Sequence, residues 1–563
     1  MVALALVGVV VGLLTAFSTI GFVSLVAYLN DLLYITTSSR SELSDVPLAL
    51  VTIGVLTGGG LAVGLLLQYG VDRKDPIGPA DTIFAVQLHE RLPSPLSGFN
   101  STLAAALSLG CGASVGQYGP LVYLGTLIGQ VANRWQLGLR DVRSIAIACG
   151  VAAAISTAFN APIAALIFTH EVILRHYSMR TFAAVAVASA CGYLVANVIF
   201  DYPPLFLMVF NGSFHGAEFV LFALEGIACG LLAVVFMKLL RRTAALSGKM
   251  RIPRFCKPML AGFLVSLVAL QIPEILGAGQ ELFDLPSIAD NYTIDTLILI
   301  LVAKLLVTVL CIGFGFAGGV IFPSLLIGLL FGEIFALLIP GLLFENYSGL
   351  ATYAVCGMMA VMSPVIGAPM TALLLVFELT RSYELTIAAM VAIVFANFVA
   401  QRWYGRSLYN RQLNERGVDL SMGRERAFLM HRKVVDLAVD SLPVLQRNET
   451  IAELRRKLLE QGTASAVVTD DNGAYLGFVY HQQLSSTSND QNRLDQLELQ
   501  QGLEFDQTTS IWSAMEAMRD FVGEAVAVVD SDSGRYLGVI PESVLINAYL
   551  DAVHELRREE HEV

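Results

Sequence analysis

The same pattern of glycine, proline and glutamate occurs twice in this chain, about two hundred residues apart. In both copies, glycines follow the first proline by five and nine residues, and a glutamate follows an Ala-Pro pair by nine. This agreement indicates two similar halves, and glycine-proline breaks inside hydrophobic segments are typical of a binding site at the interface between membrane repeats. The first copy comprises residues 116–120, Gly125, Gly129, residues 160–162 and Glu171; the second comprises residues 319–323, Gly328, Gly332, residues 367–369 and Glu378.

The composition places most of the chain in a membrane. The 563 residues are 55% hydrophobic and only 15% charged, and the mean hydropathy is +0.66, which excludes an ordinary cytosolic enzyme. Residues 1–30, 46–71, 305–332 and 346–377 contain no Asp, Glu, Lys or Arg, whereas a spanning helix needs only ~20 such residues. We therefore predict many membrane spans, with the N-terminal one retained rather than cleaved as a signal peptide.

The charged and reactive residues exclude several classes of function. The seven cysteines include no C-x-x-C pair, so neither a disulfide nor a metal site is indicated. No Ser/His/Asp set or phosphate-binding loop is recognisable, so an enzyme is not expected. The net charge of -12 comes without a large basic stripe, which argues against nucleic acid. One basic cluster between two apolar segments is predicted to be cytoplasmic by the positive-inside rule: Lys238, Arg241, Arg242, Lys249, Arg251, Arg254 and Lys257.

Short apolar segments indicate half-helices that end inside the membrane. Residues 351–362 and 369–379 are each too short to span, and residues 363–368 separate them. A helix that begins in mid-membrane presents unpaired N–H groups and a partial positive charge, which suits an anion without Lys or Arg. Pro120 and Pro323 fit the first turn of such helices, because no N–H is lost there.

Beyond about residue 420 the chain becomes charged and repeats a second time. The order helix, strand, turn, strand occurs at residues 449–479 and again at residues 509–540. This tandem resembles a pair of CBS domains, a cytosolic α/β module that often pairs with itself and sometimes binds adenine nucleotides. The consensus Thr and Asp of the ribose-contacting signature are replaced by Tyr480 and Gln483 in one copy and by Pro541 and Val544 in the other. We predict a membrane domain at 1–420, a linker at 421–433, a first CBS domain at 434–490, and a second CBS domain with the C-terminal tail at 491–563.

The membrane half, up to about Asn414, resembles the CLC family of chloride channels and anion/proton antiporters. Residues 116–120 resemble the family's GREGP segment, residues 319–323 its GxFxP segment, and Tyr409 the tyrosine that closes the inner side of the central anion site. The resemblance implies a mostly α, polytopic fold with an inverted-topology repeat and re-entrant half-helices. It also implies a homodimer with a separate pore in each subunit.

The same resemblance suggests which residues contact a chloride or other small monovalent anion. It assigns the contacts to the backbone N–H groups of Val320 and Ile321 and to the hydroxyl of Tyr409. Gly119 and Gly319 fall in the same two segments, so we include them in the predicted site. A third family segment, GSGIP, aligns without gaps to residues 75–79, which puts Pro76 where the family has an anion-binding serine. Since some plant members with proline there prefer nitrate, either chloride or nitrate is a candidate.

Two departures from the family pattern bear on mechanism. In proton-coupled members the third residue of GREGP is a glutamate, and here it is Tyr118; a second, internal glutamate position holds Val172. A tyrosine hydroxyl, with a pKa of about 10, does not shuttle protons readily at neutral pH. We therefore expect passive anion conduction, with Tyr118 as the gating position that obstructs the ion or hydrogen-bonds to it. Two alternatives stay open: an antiporter with altered proton stations, and a membrane-anchored nucleotide sensor.

The remaining polar residues of the membrane half have structural alternatives. Family placement favours a structural hydrogen-bonding role for Glu171 and Glu378 over proton transfer. His170 is expected to be a satisfied polar neighbour, and Lys304 either pairs in the interior or attracts anions. No metal and no cofactor are expected, apart from a possible adenine nucleotide at the CBS pair. The predicted location is the plasma (inner) membrane, with the CBS domains in the cytoplasm.

Overall fold

The computed structural model describes residues 2–41, 43–72, 77–90, 92–132, 142–202, 216–283, 292–338, 347–486 and 492–561. The chain divides into two compact units, Met1–Leu413 and Asn414–Glu562. The first unit therefore ends a few residues before the predicted domain end at residue 420. The predicted boundary at residues 490 and 491 lies outside the described residues.

The first unit is built from helices, as predicted. Eight helical stretches of the described chain are long and apolar enough to cross a bilayer, so the chain is a multi-pass membrane protein. The helices are α1 Val2–Leu32, α2 Thr37–Arg40, α3 Asp45–Gly70, α4 Pro79–Gln87, α5 Pro95–Gly110, α6 Tyr118–Ala132, α7 Val142–Phe159, α8 Pro162–Phe168, α9 Met179–Leu194, α10 Glu218–Lys249, α11 Cys256–Ala269, α12 Ile294–Gly313, α13 Ile321–Leu338, α14 Leu350–Ile366, α15 Pro369–Thr380, α16 Tyr383–Trp403 and α17 Leu408–Glu415.

The spaced glycines of the two sequence copies pack helices closely in equivalent ways. A Cβ on Gly125 of α6 would lie 2.3 Å from the carbonyl oxygen of Gly150 on α7, and a Cβ on Gly328 of α13 would lie 2.3 Å from that of Gly357 on α14. Only glycine permits such an approach, a common device between membrane helices. The later glycines of each copy are therefore packing residues, and α6 lies on α7 as α13 lies on α14.

The break between the half-helices is shorter than predicted. Residues 363–366 continue α14, with Pro364 in its last turn, and only Gly367 and Ala368 separate it from α15. The helix ends at Gly367 because its φ of 77° is the left-handed conformation that glycine adopts without strain. In the first half, Asn160, with a φ of 59°, occupies the corresponding position between α7 and α8.

The second unit contains two copies of one small sheet. In each sheet the first two strands are parallel and the last two antiparallel, and an irregularity falls at the same place, at Val468/Thr469 in one copy and Val528/Val529 in the other. The repeat that the sequence predicted is thus confirmed. The strands are β1 Val444–Gln446, β2 Ser465–Thr469, β3 Tyr475–Tyr480, β4 Glu504–Asp506, β5 Ala525–Val529 and β6 Tyr536–Pro541, and the helices are α18 Arg424–His431, α19 Ile451–Gln461, α20 Ile511–Met518 and α21 Glu542–His561.

The apolar faces of the two sheets pack against each other. Val467 and Phe478 of the first copy form one buried cluster with Ala525, Ala527 and Val539 of the second. This contact removes from water the apolar sheet face that each copy would otherwise expose.

Residues 421–433, predicted to be a linker, contain α18. Its residues Ala427, Phe428 and Leu429 are buried, and the Arg432 carbonyl accepts a hydrogen bond from Ile511 N–H at 3.0 Å. The segment is ordered because its apolar residues are covered and its backbone is bonded to the second CBS copy.

Candidate anion-binding site

The two glycine-rich segments of the repeat meet through their backbones. Gly116 N–H donates to the Gly319 carbonyl at 2.8 Å, and Gly319 N–H donates to the Gly116 carbonyl at 2.6 Å. A Cβ on Gly119 would lie 2.8 Å from Gly319 Cα, and a Cβ on Gly319 would lie 2.7 Å from Gly119 N. Side chains are therefore excluded at this junction, which brings together the starts of α6 and α13.

N–H groups without a partner in their own helix lie where these helices begin. The first hydrogen bond of α13 runs from Ser324 N–H to the Val320 carbonyl at 3.1 Å, and that of α6 from Leu121 N–H to the Gln117 carbonyl at 3.2 Å. The N–H groups of the preceding residues have no partner within their own helix. Those of Val320 and Ile321 belong to buried residues, 6% and 2% exposed. Two helix N-termini, each with partial positive charge, thus face the same junction.

A third helix begins beside them. Pro79, the first residue of α4, places its Cδ 3.8 Å from where a Cβ on Gly119 would be. The Asp81 carboxylate accepts the Gly78 N–H at 2.9 Å, so an anionic side chain already caps the N-terminus of α4. Sequence reasoning missed Asp81, although an acidic residue at the third helical position after Gly-Pro is an N-terminal signal. Pro76 lies outside the described residues, so its assignment stays a prediction.

Tyr118 is enclosed by aromatic rings at the start of α6. It is fully buried, and its ring stacks on Phe159 at 3.7 Å between centroids and on Phe322 at 5.7 Å. Its hydroxyl has no hydrogen-bond partner in the described part of the chain, although the side chain of Gln117 approaches it. Phe159 and Phe322 were not candidates from the sequence; the only available signal was the place of Phe159 directly before the Asn-Ala-Pro segment.

Tyr409 lies at the start of α17 and is 3% exposed. Its hydroxyl is also buried and without a hydrogen-bond partner among the described residues. Ser407, two residues earlier, packs on the break between α14 and α15, since a Cβ on Gly367 would lie 2.8 Å from Ser407 Cβ. Both candidate tyrosines therefore have a buried hydroxyl that can donate to a ligand.

Glu171 and Glu378 each cap the N-terminus of a helix in the other half of the repeat. The Glu378 carboxylate accepts the N–H groups of Ile163 and Ala164, at 2.8 and 2.7 Å, at the start of α8. The Glu171 carboxylate accepts the N–H groups of Met370 and Thr371, at 3.0 and 2.8 Å, at the start of α15. Each carboxylate therefore satisfies the N-terminus of the symmetry-related helix.

Val172 follows Glu171 on a π-helical turn, Thr169–Leu174, and is 2% exposed. An aliphatic side chain at this position has no proton to exchange. Lys304 has the interior pairing that the sequence left open, because its Nζ donates to the carbonyls of Ile275 and Gly277 at 2.9 and 2.8 Å. His170 is only half satisfied: Nδ1 contacts the His176 carbonyl at 2.8 Å, whereas Nε2 has no partner among the described residues.

Two cavities adjoin the candidate residues. One, of about 440 Å³, is lined in part by Gln117, next to Tyr118. The other, of about 410 Å³, is lined in part by Val172 and by Ser407 and Asn410, on either side of Tyr409. The two cavities share no lining residue. Gln117, next to Tyr118, lines one of them, and the residues that flank Tyr409 line the other.

The Voltage gated chloride channel family model matches residues 59–401, more than half of the chain. The chain belongs to the CLC family. A CBS domain model matches residues 429–487, in the first CBS copy. The family and CBS assignments made from the sequence are confirmed, and the chain is a membrane transport protein of the chloride-transporting CLC type.

Relatives of this CLC protein are named either as chloride channel proteins or as H(+)/Cl(-) exchange transporters. It is 29% identical to a ClcB-like protein of Ralstonia nicotianae over 64% of this chain and 84% of the relative. It is 31% identical to the H(+)/Cl(-) exchange transporter ClcA of Vibrio campbellii over 54% of this chain and 67% of the relative.

Solved structures support the CLC fold. A slow cyanobacterial Cl-/H+ antiporter aligns with a TM-score of 0.65 at 23% identity, over 73% of this chain and 97% of the other. A eukaryotic CLC transporter aligns with a TM-score of 0.63 at 17% identity, over 96% of this chain and 97% of the other. At these identities the likeness concerns the fold alone.

Proposed function

We propose that this CLC protein is a passive anion channel, for chloride or nitrate, in which each subunit of a homodimer has its own pore. The observation that carries the proposal is the aromatic enclosure of Tyr118. The position that holds a proton-carrying glutamate in exchangers is occupied by a phenol ring stacked on Phe159 and Phe322. A neutral hydroxyl there can donate a hydrogen bond to an anion but has no negative charge with which to compete for the site.

The inner end of the candidate pore supports the same proposal. Val172 is buried and aliphatic, and the neighbouring Glu171 accepts three hydrogen bonds, from Met370 N–H, Thr371 N–H and the Thr371 hydroxyl. Glu171 therefore fits a structural role and does not replace the missing proton station.

We assign the anion contacts to buried donors. The N–H groups of Val320 and Ile321 and the hydroxyl of Tyr409 are buried donors that can replace water around a small anion. Gly119 and Gly319 exclude side chains from this point. Binding by dipoles and not by Lys or Arg leaves the anion free to depart, which conduction requires.

An exchanger with altered proton stations is the main competing function, because relatives such as the Vibrio campbellii protein are named as H(+)/Cl(-) exchange transporters. Proton movement recorded with a pH electrode during chloride efflux from proteoliposomes separates the two. A channel moves chloride with no accompanying proton flux, whereas a fixed ratio of protons to chloride would establish the exchanger.

We further propose that the CBS pair lies on the cytoplasmic side of a plasma (inner) membrane protein and stabilises or modulates the dimer. Nucleotide binding has little support, because neither CBS copy has the Thr and Asp of the ribose-contacting signature. Gln483 accepts the Tyr480 N–H at 2.9 Å and donates to the Glu498 carbonyl at 3.0 Å. These contacts satisfy the Gln483 amide locally and provide no carboxylate for a ribose.

A further inference from the structure

The cavity beside Tyr409 has the composition of a ligand site in its own right. Its volume of about 410 Å³ falls in the range of small-ligand pockets, roughly 300–1,000 Å³. Its walls come from the turn after α8, the break before α15, the end of α16 and the start of α17. This cavity adjoins Val172, the position where exchangers have their internal glutamate, and two of its lining residues are arginines.

Two guanidinium groups reach this cavity. Arg175 Nη2 donates to Asn410 Oδ1 at 2.5 Å, and its Nε donates to the Val172 carbonyl at 3.4 Å. The Arg175 side chain is largely enclosed, and the charge of Arg406 acts on it unfavourably. Two like charges beside one partly enclosed cavity repel each other. An anion bound between the two guanidinium groups would be attracted by both and would offset this repulsion.

The other titratable groups of the cavity offset the two guanidinium charges only in part. Glu171 is the one carboxylate among the described lining residues, and it is engaged by the N–H groups that begin α15. His170 lines the cavity with a buried Nε2 that has no partner among the described residues. The last titratable lining residue is Tyr177, whose ring stacks on that of His170 at 5.2 Å between centroids.

We propose that this cavity binds a phosphate group, as inorganic phosphate or as a phosphomonoester, through Arg175 and Arg406. Paired guanidiniums match the oxygen atoms and double charge of phosphate, whereas a halide offers a single atom. Ser407 and Asn410 line the cavity and flank Tyr409, so an occupant would lie beside the inner end of the candidate pore. Phosphate on that side should therefore reduce anion flux, whether or not transport is coupled to protons.

Calorimetric titration of the full chain with inorganic phosphate, in chloride-free buffer, tests the site. We expect saturable binding that weakens about tenfold or more in Arg175→Gln and in Arg406→Gln, since each substitution removes a charge-assisted contact. Arg402→Gln is the matched control, because Arg402 is exposed on α16 and does not line the cavity. Arg406 is also exposed, so its variant is informative even if Arg175→Gln fails to fold. Binding that is absent, or equal in Arg406→Gln and the wild type, would overturn the proposal.

Flux measurements distinguish the source of the phosphate. Chloride efflux is compared in phosphatidylcholine vesicles, in the same vesicles with inorganic phosphate added, and in vesicles that contain phosphatidic acid. Arginine-dependent inhibition by inorganic phosphate identifies a soluble ligand, and such inhibition only with phosphatidic acid identifies a lipid headgroup. Inhibition that persists unchanged in both arginine variants, or none in either condition, contradicts the proposal.

Discussion

Replacing Tyr118 by alanine should increase anion flux. In the structure its ring is held between Phe159 and Phe322, and each aromatic stack contributes about 0.5–1.5 kcal/mol beyond burial. If an anion passes only when the ring leaves this position, breaking both stacks adds about 1–3 kcal/mol to the barrier. Since each 1.4 kcal/mol is a factor of ten in rate, removal of the ring should raise flux by about 5- to 150-fold.

The assay is chloride efflux from proteoliposomes, recorded with a chloride electrode and normalised to the amount of folded protein. Removing a buried aromatic ring costs about 3–5 kcal/mol in protein cores, so size-exclusion chromatography and thermal unfolding must first show that the variant is intact. Tyr118→Phe is the control, because it keeps both stacks and removes only the hydroxyl.

The two variants separate obstruction from ligation. Obstruction predicts a large increase in flux for Tyr118→Ala and little change for Tyr118→Phe. If Tyr118→Ala folds but conducts no faster than the wild type, the ring is not the barrier. If Tyr118→Phe loses conduction, the hydroxyl is a required ligand for the anion.

Three further predictions concern selectivity, stability and the second unit. Pro76→Ser should increase the chloride-to-nitrate permeability ratio, because it supplies a hydroxyl donor; an unchanged bi-ionic potential would argue against the assignment of this position. Glu378→Ala should destabilise the protein by about 1.5–3 kcal/mol, and Glu378→Gln by less, in thermal unfolding, with ion selectivity unchanged; equal stability of all three proteins would exclude the capping role. Truncation after Leu420 should alter dimer stability or gating but not selectivity, and calorimetry should find no ATP, ADP or AMP binding to the full chain; micromolar affinity would support the sensor hypothesis.

The sequence predicted the features that depend on local spacing. The two glycine-proline segments indicated a site at the interface between the two halves, and the structure has these segments hydrogen-bonded to each other. Pro120 and Pro323 are the third residues of α6 and α13, in the first helical turn as predicted. The tandem sheets were also recognisable, because each copy repeats the same order of apolar runs and turn residues.

The features that the sequence did not predict depend on contacts between distant segments. Glu171 lies 200 residues from Thr371, whose N–H and hydroxyl it accepts, so spacing indicated a polar role but not the partner. The enclosure of Tyr118 likewise combines Phe159 and Phe322 from different halves. The observed break before α15 is shorter than the predicted one, because the last turn of α14 accommodates Pro364.

The measurement that most directly tests passive conduction is the reversal potential of reconstituted protein under independent chloride and pH gradients. If neither Tyr118 nor Val172 supports proton coupling, the reversal potential follows the chloride gradient alone and does not move when the pH gradient is changed. A fixed shift with the pH gradient, reproduced with chloride and with nitrate, would show that protons are coupled to transport and would contradict the account.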